Sequence, residues 1–297
     1  MKAYEVGPPG ARILYVDGTA EYRELEGWGV ELINFMSARL RQALRALSFP
    51  PLQPDAVIPK GPDFAYHTAP DVFLGRQGYG PLYVVWDTNL LIDYFQFGSL
   101  LWQGADLPDY VEEEYKGELE GLQFLLSLWA MRDIRFVILP QSINDAKKKL
   151  SSQRRHERIQ AFDEFVAALR LMGWSPDGME VPSREGLLIL PDSLLEDALV
   201  AIPAGFDRNL VRAAVRCGVH VFLSRDDRVL KARSKMRLFG LSLASPLDLF
   251  EWLLGNGSYY CFLELRYAHW PLPDQQRVGH LIQALPHWDD GGNKVGE

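Results

Sequence analysis

The chain has 297 residues, of which 47% are hydrophobic and 24% are charged, and its formal net charge at pH 7 is −8. These values are typical of a folded protein with a sizeable core, and the acidic balance argues against a protein that coats nucleic acid over its whole surface. The two cysteines, Cys217 and Cys261, exclude a disulfide framework and a cysteine-based zinc site, so we expect a reducing, cytoplasmic setting. No hydrophobic leader and no apolar run of about 18 residues occurs, so we expect no membrane partner.

Helical spacing of apolar residues predicts a first helix from about Ala20 to Leu47. Arginines on its opposite face are typical of a solvated surface, and they leave open a protein partner, a second copy of the chain or a nucleic-acid backbone. The stretch from Phe49 to Gly80 is rich in proline and glycine, which predicts a connecting segment. We therefore interpret residues 1–80 as a helical extension and linker, 81–255 as the main domain, and 256–297 as a C-terminal extension with a flexible tail.

Short runs of β-favouring residues without alternation predict parallel strands that are covered on both faces. The runs are Leu82–Trp86, Phe136–Leu139, Val219–Leu223 and Leu241–Ser245. The helical patterns between and after them are Leu119–Met131, Ile159–Leu171, Asn209–Arg216 and a helix that starts at Pro246. This alternation predicts an open α/β sheet, with its site at the carboxyl edge of the strands.

Four aspartates each lie just before or within the first turn of a predicted helix, where an apolar run ends. They are Asp87, Asp145, Asp207 and Asp226. Helix capping explains each of them singly. If all four meet at one edge of a sheet, however, their charges need cations between them, and this arrangement is typical of a divalent-metal site.

The order of these residues resembles the PIN-domain family of nucleases over about Leu82 to Leu254. Asp87-Thr88-Asn89 follows a strand, as the first motif of the family does, and Asp207, Ser224 and Asp226 match its closing Asp-[Thr/Ser]-x-Asp unit. Asp145 stands in the place of the second acid. The interval from Gly98 to Arg132 looks like an insertion, and Glu113 or Glu114 within its acidic segment is the alternative second acid.

The resemblance implies a PIN-like three-layer α/β/α fold with a central, mainly parallel sheet, and a hydrolase that binds Mg²⁺ or Mn²⁺ through the four aspartates. One ion would activate a water, and a second ion about 4 Å away would stabilise the leaving 3′ oxygen. Asn89 and Ser224 would orient carboxylates or waters, and Asp227 would help to hold a second ion. The implied substrate is RNA, cut internally; a DNA-cleaving nuclease and an inactive RNA-binding or scaffolding subunit are the alternatives.

Two basic stretches adjoin the predicted site and would contact a phosphate backbone, with ordinary surface helices as the alternative. The cations that we expect to bind nucleic acid are Lys147, Lys148, Arg154, Arg155, Arg225, Arg228 and Lys231. His220 lies in an apolar run, and we interpret it as a hydrogen-bonded core residue rather than a metal ligand.

Overall fold

The computed structural model describes residues 62–103, 107–129, 131–149 and 185–263, two N-terminal strands, and a few helical positions at 38–41 and 159–166. The strands are β1 (Arg12–Val16), β2 (Ala20–Glu24), β3 (Phe64–Ala65), β4 (Tyr79–Gly80), β5 (Leu82–Trp86), β6 (Ile134–Val137), β7 (Val221–Leu223) and β8 (Ser242–Ala244). The helices are α1 (Pro70–Phe73), α2 (Thr88–Gln103), α3 (Glu113–Trp129), α4 (Pro140–Lys149), α5 (Asp192–Leu199), α6 (Phe206–Cys217), α7 (Asp227–Leu230), α8 (Arg233–Arg237) and α9 (Pro246–Gly255).

Four strands form a parallel sheet in the order β6-β5-β7-β8. The side chains of β5 alternate between two apolar clusters, because successive residues of a strand point to opposite faces. Val84 and Trp86 lie in a cluster with residues of α2, α3 and α9, whereas Tyr83 and Val85 lie in a cluster with residues of α5, α6 and α8. The predicted α/β class with a parallel central sheet is therefore confirmed.

All four predicted strands are present, and β5 has the predicted bounds. β7 begins two residues later than predicted, because the side chain of His220 takes over a bond of the ladder: its Nδ1 accepts from the Tyr83 N–H at 3.0 Å. His220 is fully buried, and burial, together with the nearby charge of Arg76, lowers its pKa well below 6.5. The prediction that His220 is a hydrogen-bonded core residue is confirmed.

The predicted helices are present where the structure describes them, with shifted ends. α3 and α6 both begin before the predicted position, and α9 begins at Pro246 as predicted. A capping box of Ser245 and Asp248 fixes the start of α9. For the helix predicted at 159–171, the described positions 159, 160, 162, 163 and 166 are helical, and the other positions lie outside the described residues.

The start of the predicted N-terminal helix is wrong, because Ala20–Glu24 forms strand β2 and pairs antiparallel with β1. In the register of the two strands Tyr22 pairs with Leu14, and both strands contain β-favouring residues. Within the later part of the predicted helix, positions 38, 40 and 41 are helical and Leu40 is fully buried. The other residues of this prediction, and the tail after residue 263, lie outside the described residues.

The buried core extends past both predicted limits of the main domain. Phe64 and Phe73, in the segment interpreted as a linker, are at most 1% exposed, and Tyr259 is fully buried after the predicted end. The guanidinium of Arg132 joins the two segments by donating to the carbonyls of Asp63 at 2.8 Å and Ser258 at 3.4 Å. Among the described helices, none has both the length and the apolar content that crossing a membrane requires.

Candidate active site at the carboxyl edge of the sheet

Asp87 follows the central strand β5 directly and is 1% exposed. In the parallel pairing of β5 with β7, Trp86 faces Leu223, so the next residues of the two strands, Asp87 and Ser224, are also neighbours. The Asp87 N–H donates to the Leu223 carbonyl at 2.9 Å, which continues the ladder beyond the last strand residue. The register of the sheet thus places the first and last predicted motifs side by side.

The hydroxyl of Ser224 links two of the predicted acids. Its Oγ donates to Oδ2 of Asp87 at 2.7 Å and accepts from the backbone N–H of Asp226 at 3.1 Å. The other oxygen of Asp87, Oδ1, accepts from the Thr88 N–H at 2.6 Å. Because Ser224 is fully buried, these bonds fix the plane of the Asp87 carboxylate. The role expected for Ser224, which is to orient carboxylates or waters, stays a prediction.

Asp226 is the N-cap of α7 and is also paired with an arginine. Its carboxylate accepts from the Arg228 backbone N–H at 2.8 Å, from Nε at 3.0 Å and from Nη2 at 2.6 Å. The hydrogen bonds from Arg228 lower the pKa of Asp226 below its usual value of 3.8. Asp226, through hydrogen bonds, and Asp207, through its charge, both raise the pKa of Arg228, so this guanidinium lies in the field of both carboxylates. Asp207 itself is half-buried in the first turn of α6.

A second network, which the sequence did not reveal, joins the same loop to two helices. The guanidinium of Arg225 donates to Asp93 through Nε at 2.5 Å and Nη2 at 3.0 Å, and it lies 4.3 Å from the centre of the Tyr115 ring. The Tyr115 hydroxyl donates to Asp93 Oδ1 at 2.6 Å, and burial, followed by the charge of Asp93, raises the pKa of this hydroxyl. Arg225 lies between Ser224 and Asp226, so this network anchors the loop that carries both of them.

Asp145 does not lie in the first turn of its helix, as predicted, but in the second, because α4 already begins at Pro140. The start of α4 lies against the end of β5, where the Ser142 hydroxyl is 3.5 Å from the Trp86 carbonyl. Asp145 is half-buried one turn further along the helix. Asn89, expected to orient a carboxylate or a water, is half-buried at the second position of α2.

The acidic segment before and within α3 also faces this edge. A cavity of about 190 Å³ lies between α3, the loop after β7 and α7. Its lining residues are Glu112, Glu114, Tyr115, Glu118, Arg225, Asp227, Leu230 and Ser245. Burial raises the pKa of Glu118, which accepts from the Leu247 N–H at 3.1 Å, whereas Glu113 and Glu114 are exposed. Asp227 is exposed beside Arg225, and both the acids of α3 and Asp145 remain candidates for the second carboxylate.

Several of the cations expected to bind nucleic acid already have acidic partners. The pairs are Lys147 with Asp163, Arg225 with Asp93, and Arg228 with Asp226. Two further arginines after Asp226 are paired as well: Arg233 with Asp248 and Arg237 with Asp71. Lys148 and Lys231 are exposed, whereas Arg154 and Arg155 lie outside the described residues. A phosphate backbone would therefore compete with these carboxylates for the paired cations.

The acids of the site supply carboxylate oxygens, which are the kind of ligand that a hard divalent cation prefers. The buried hydroxyl of Thr88, beside Asp87, has no hydrogen-bond partner among the described residues, which leaves one more oxygen at this position. Within the described part of the chain, no three His, Cys, Asp or Glu side chains form a group that could hold a metal ion. Arg228 contributes the positive charge beside Asp226 in the present arrangement.

The fold and the site together define an α/β protein with a parallel sheet and a carboxylate-rich site at the carboxyl edge of its central strands. No model of a known protein family matches the chain, and no curated protein is significantly similar to it.

Proposed function

We propose that this protein is a metal-dependent nuclease of the PIN-like kind that cuts RNA internally. The observation that carries the proposal is the bonded series from Asp87 through Ser224 to Asp226, which joins the ends of the two central strands. The Ser224 hydroxyl donates to the Asp87 carboxylate and accepts from the N–H of Asp226. A hydroxyl with these two bonds is suited to holding both acids in a metal-binding geometry. The order of the motifs along the chain, which resembles that of PIN domains, supports the same function.

Asp87 and Asp226 would hold the cation, with Asp207 and either Asp145 or an acid of α3 completing the set. When bound, a divalent cation would lower the pKa of a water and neutralise charge on the phosphate. The buried side of the site, around Asp87, orients the carboxylate, whereas the exposed side, around Asp226 and Arg228, is open to a polymer. Lys148 and Lys231 would bind flanking phosphates in a salt-dependent manner.

A cleavage assay with labelled RNA and single-stranded DNA tests this function. With Mn²⁺ present, we expect the wild-type chain to cut RNA. Loss of a residue that only orients a metal ligand typically lowers activity by about 10- to 100-fold. Asp87→Asn and Asp226→Asn change the ligands themselves, so each should lower the rate by more than this. EDTA should abolish cleavage. Full activity of either variant, or of the wild type in EDTA, would contradict the proposal.

Asp192→Asn is the matched control for these substitutions. Asp192 is an exposed acid in the first turn of α5, and it lies within 3.8 Å of Arg216, at the end of α6 opposite to Asp207. The control should cleave at the wild-type rate. Urea unfolding of each variant separates a loss of chemistry from a loss of folded protein. If the protein cuts DNA instead of RNA, the proposed site stands and only the proposed substrate changes, because both polymers have the same phosphodiester bond.

One observation favours a second candidate, an inactive subunit that binds nucleic acid. The carboxylate of Asp226 already has a cation, the Arg228 guanidinium, on both of its oxygens. If neither polymer is cut in Mn²⁺ but one is bound, and binding weakens with salt, the binding role replaces the catalytic one.

A further inference from the structure

The loop after β7 is fastened to the segment after β5 at two points. At the first, the Ser224 hydroxyl donates to the Asp87 carboxylate at 2.7 Å. At the second, the next residue, Arg225, donates to Asp93 of α2 through Nε at 2.5 Å and Nη2 at 3.0 Å. One contact leaves a loop free to rotate about it, whereas contacts on two successive residues fix its orientation. They also fix the position of Asp226, which follows directly.

The second point is buried and has three members. The Asp93 side chain is 4% exposed, and it accepts from the Tyr115 hydroxyl at 2.6 Å as well as from Arg225. The guanidinium also lies over the Tyr115 ring, 4.3 Å from its centre, where the face of the ring attracts a cation. Opening this pair would leave a buried carboxylate without its cation, which is strongly unfavourable. Arg225 is therefore held in place.

This arrangement separates two cations that the sequence places in the same basic stretch. Both Arg225 and Lys231 were expected to bind nucleic acid. A phosphate would have to draw the Arg225 guanidinium away from Asp93, whereas Lys231, directly after α7, is exposed. The contacts thus favour Lys231 as a phosphate ligand and give Arg225 a different role.

We propose that Arg225, Asp93 and Tyr115 are positioning residues, which hold the loop so that Ser224 orients the acids of the site, and that Arg225 does not bind the phosphate backbone. The inference rests on the proposed nuclease function and adds residues that act through Ser224. The two roles of Arg225 predict opposite effects at Asp93. Loss of a mere competitor for the guanidinium would free it and tighten RNA binding, whereas loss of a positioning carboxylate slows cleavage and leaves binding unchanged.

Cleavage kinetics in Mn²⁺ separate these roles. Tyr115→Phe, which keeps the ring and removes only the hydroxyl, should lower kcat by about tenfold and leave KM unchanged. Asp93→Asn should lower kcat further, because it removes the charge that holds the guanidinium. Tyr79→Phe is the matched control: it removes a hydroxyl from a tyrosine of β4 that is 60% exposed, and it should leave kcat unchanged.

RNA affinity in EDTA measures the binding role directly. Lys231→Gln should weaken binding and reduce the slope of log affinity against log salt concentration by about one, as for the loss of one phosphate contact. Asp93→Asn should keep the wild-type affinity and slope. The double variant Asp93→Asn/Arg225→Gln removes both charges, so no lone charge stays buried, and it should also keep the wild-type slope. Tighter binding by Asp93→Asn, or a slope of the double variant as low as that of Lys231→Gln, would overturn the positioning role.

Hydrogen exchange of the Asp226 N–H, which donates to Ser224 Oγ at 3.1 Å, tests the position of the loop without catalysis. Relative to amides of β5, this N–H should exchange about fivefold faster in Tyr115→Phe than in the wild type. Equal exchange would overturn the positioning role and leave the nuclease function standing. If exchange is faster but the wild type cuts no RNA, the nuclease function is overturned and the anchoring of the loop stands.

Discussion

The two ends of the parallel sheet hold polar side chains in different ways. At the amino end, the buried basic side chains of Arg76 and His220 bind main-chain atoms: Arg76 donates to the carbonyls of Gly218 at 2.8 Å and Gly240 at 2.9 Å, and His220 accepts from a strand N–H. At the carboxyl end, acids and arginines bind one another through side chains, and Arg228 is largely exposed.

This difference in partners suggests that the amino end of the sheet serves the fold and that the carboxyl end serves binding and chemistry. Main-chain partners cannot move without unfolding the strands, so the contacts of Arg76 act in the fold. Side-chain partners at the surface can exchange for water, metal or phosphate at small cost. In open α/β sheets the carboxyl edge is also where ligands bind. We therefore expect substitutions at the amino end to lower stability and substitutions at the carboxyl end to change binding and chemistry.

The largest stability effect should come from Arg76→Met. The methionine keeps an apolar stem but removes the donors to Gly218, Val219 and Gly240, and Arg76 is only 1% exposed. Hydrogen bonds from a charged group are strong, and the buried carbonyls would lose them, so the free energy of unfolding should fall by about 3 kcal/mol or more. Urea unfolding measures the change.

Arg237→Met is the control for Arg76→Met. Arg237 also lies outside the proposed site, but its side chain is 37% exposed and contacts Asp71 at 3.2 Å. Its loss should change the free energy of unfolding by no more than about 0.5 kcal/mol. Equal effects of the two substitutions would remove the distinction between a buried arginine bound to the main chain and a surface pair.

A pH-dependent effect should distinguish the two ends next. His220 is neutral in the folded protein because its pKa lies well below 6.5, whereas in the unfolded chain it takes up a proton near pH 6.5. Below that pH the unfolded state binds one more proton than the folded state. This contribution to stability is therefore full above pH 6.5 and decreases by about 1.4 kcal/mol per pH unit as the pH falls towards the folded pKa.

His220→Asn isolates this contribution. The asparagine oxygen can still accept from the Tyr83 N–H, but the side chain does not titrate. The variant starts from a lower stability, since it fills less of the core, yet its stability should fall less steeply than that of the wild type between pH 6.5 and 5. Parallel slopes would mean that His220 is protonated in the folded state, contrary to its burial.

The sequence predicts the sheet well because its signals are local. The bounds of β5 were predicted correctly from five apolar residues followed by the Asp-Thr-Asn motif, which begins a helix. β6 ends two residues before the predicted end: Ile138 and Leu139 are buried but follow the last strand residue, so an apolar run marks burial rather than pairing. The shift at β7 depends on one side-chain bond of His220, which no periodicity contains.

The N-terminal hairpin was missed although a signal was present. Asp17-Gly18 stands between Val16 and Ala20, and this dipeptide between β-favouring runs is typical of a tight hairpin turn. The predicted helix was based on the spacing of apolar residues in the segment that follows. Local turn chemistry at this point is a better guide than a periodicity extended over too long a window.

The site shows the limit of sequence reasoning more clearly. The closeness of Asp87 and Ser224 follows from the adjacency of two strands, so the motif order could predict it. The choice of partners could not be predicted: Arg225 binds an acid 132 positions away, and Tyr115 joins that pair from a third element. Ion pairs depend on side-chain rotamers and on the packing of whole helices, which a linear pattern does not specify.

Ser224→Ala, at the carboxyl end, should combine a modest effect on stability with a large effect on activity. Removing the hydroxyl deletes the bond to Asp87 Oδ2 and the acceptor for the Asp226 N–H. The free energy of unfolding should fall by about 2 kcal/mol, because two hydrogen bonds are lost and one of them is to a buried carboxylate. Cleavage and Mn²⁺ affinity should fall by about 10- to 100-fold, because the carboxylate loses the partner that orients it.

Ser258→Ala provides the matched control for a buried serine away from the site. Ser258 is 1% exposed, and its hydroxyl has no hydrogen-bond partner among the described residues, so its removal should leave activity unchanged and stability nearly unchanged. A variant Ser224→Ala that loses stability but keeps full activity would assign the serine to the fold alone. A loss of activity that is larger than the fall in stability explains would instead mean that the carboxyl end is organised for chemistry.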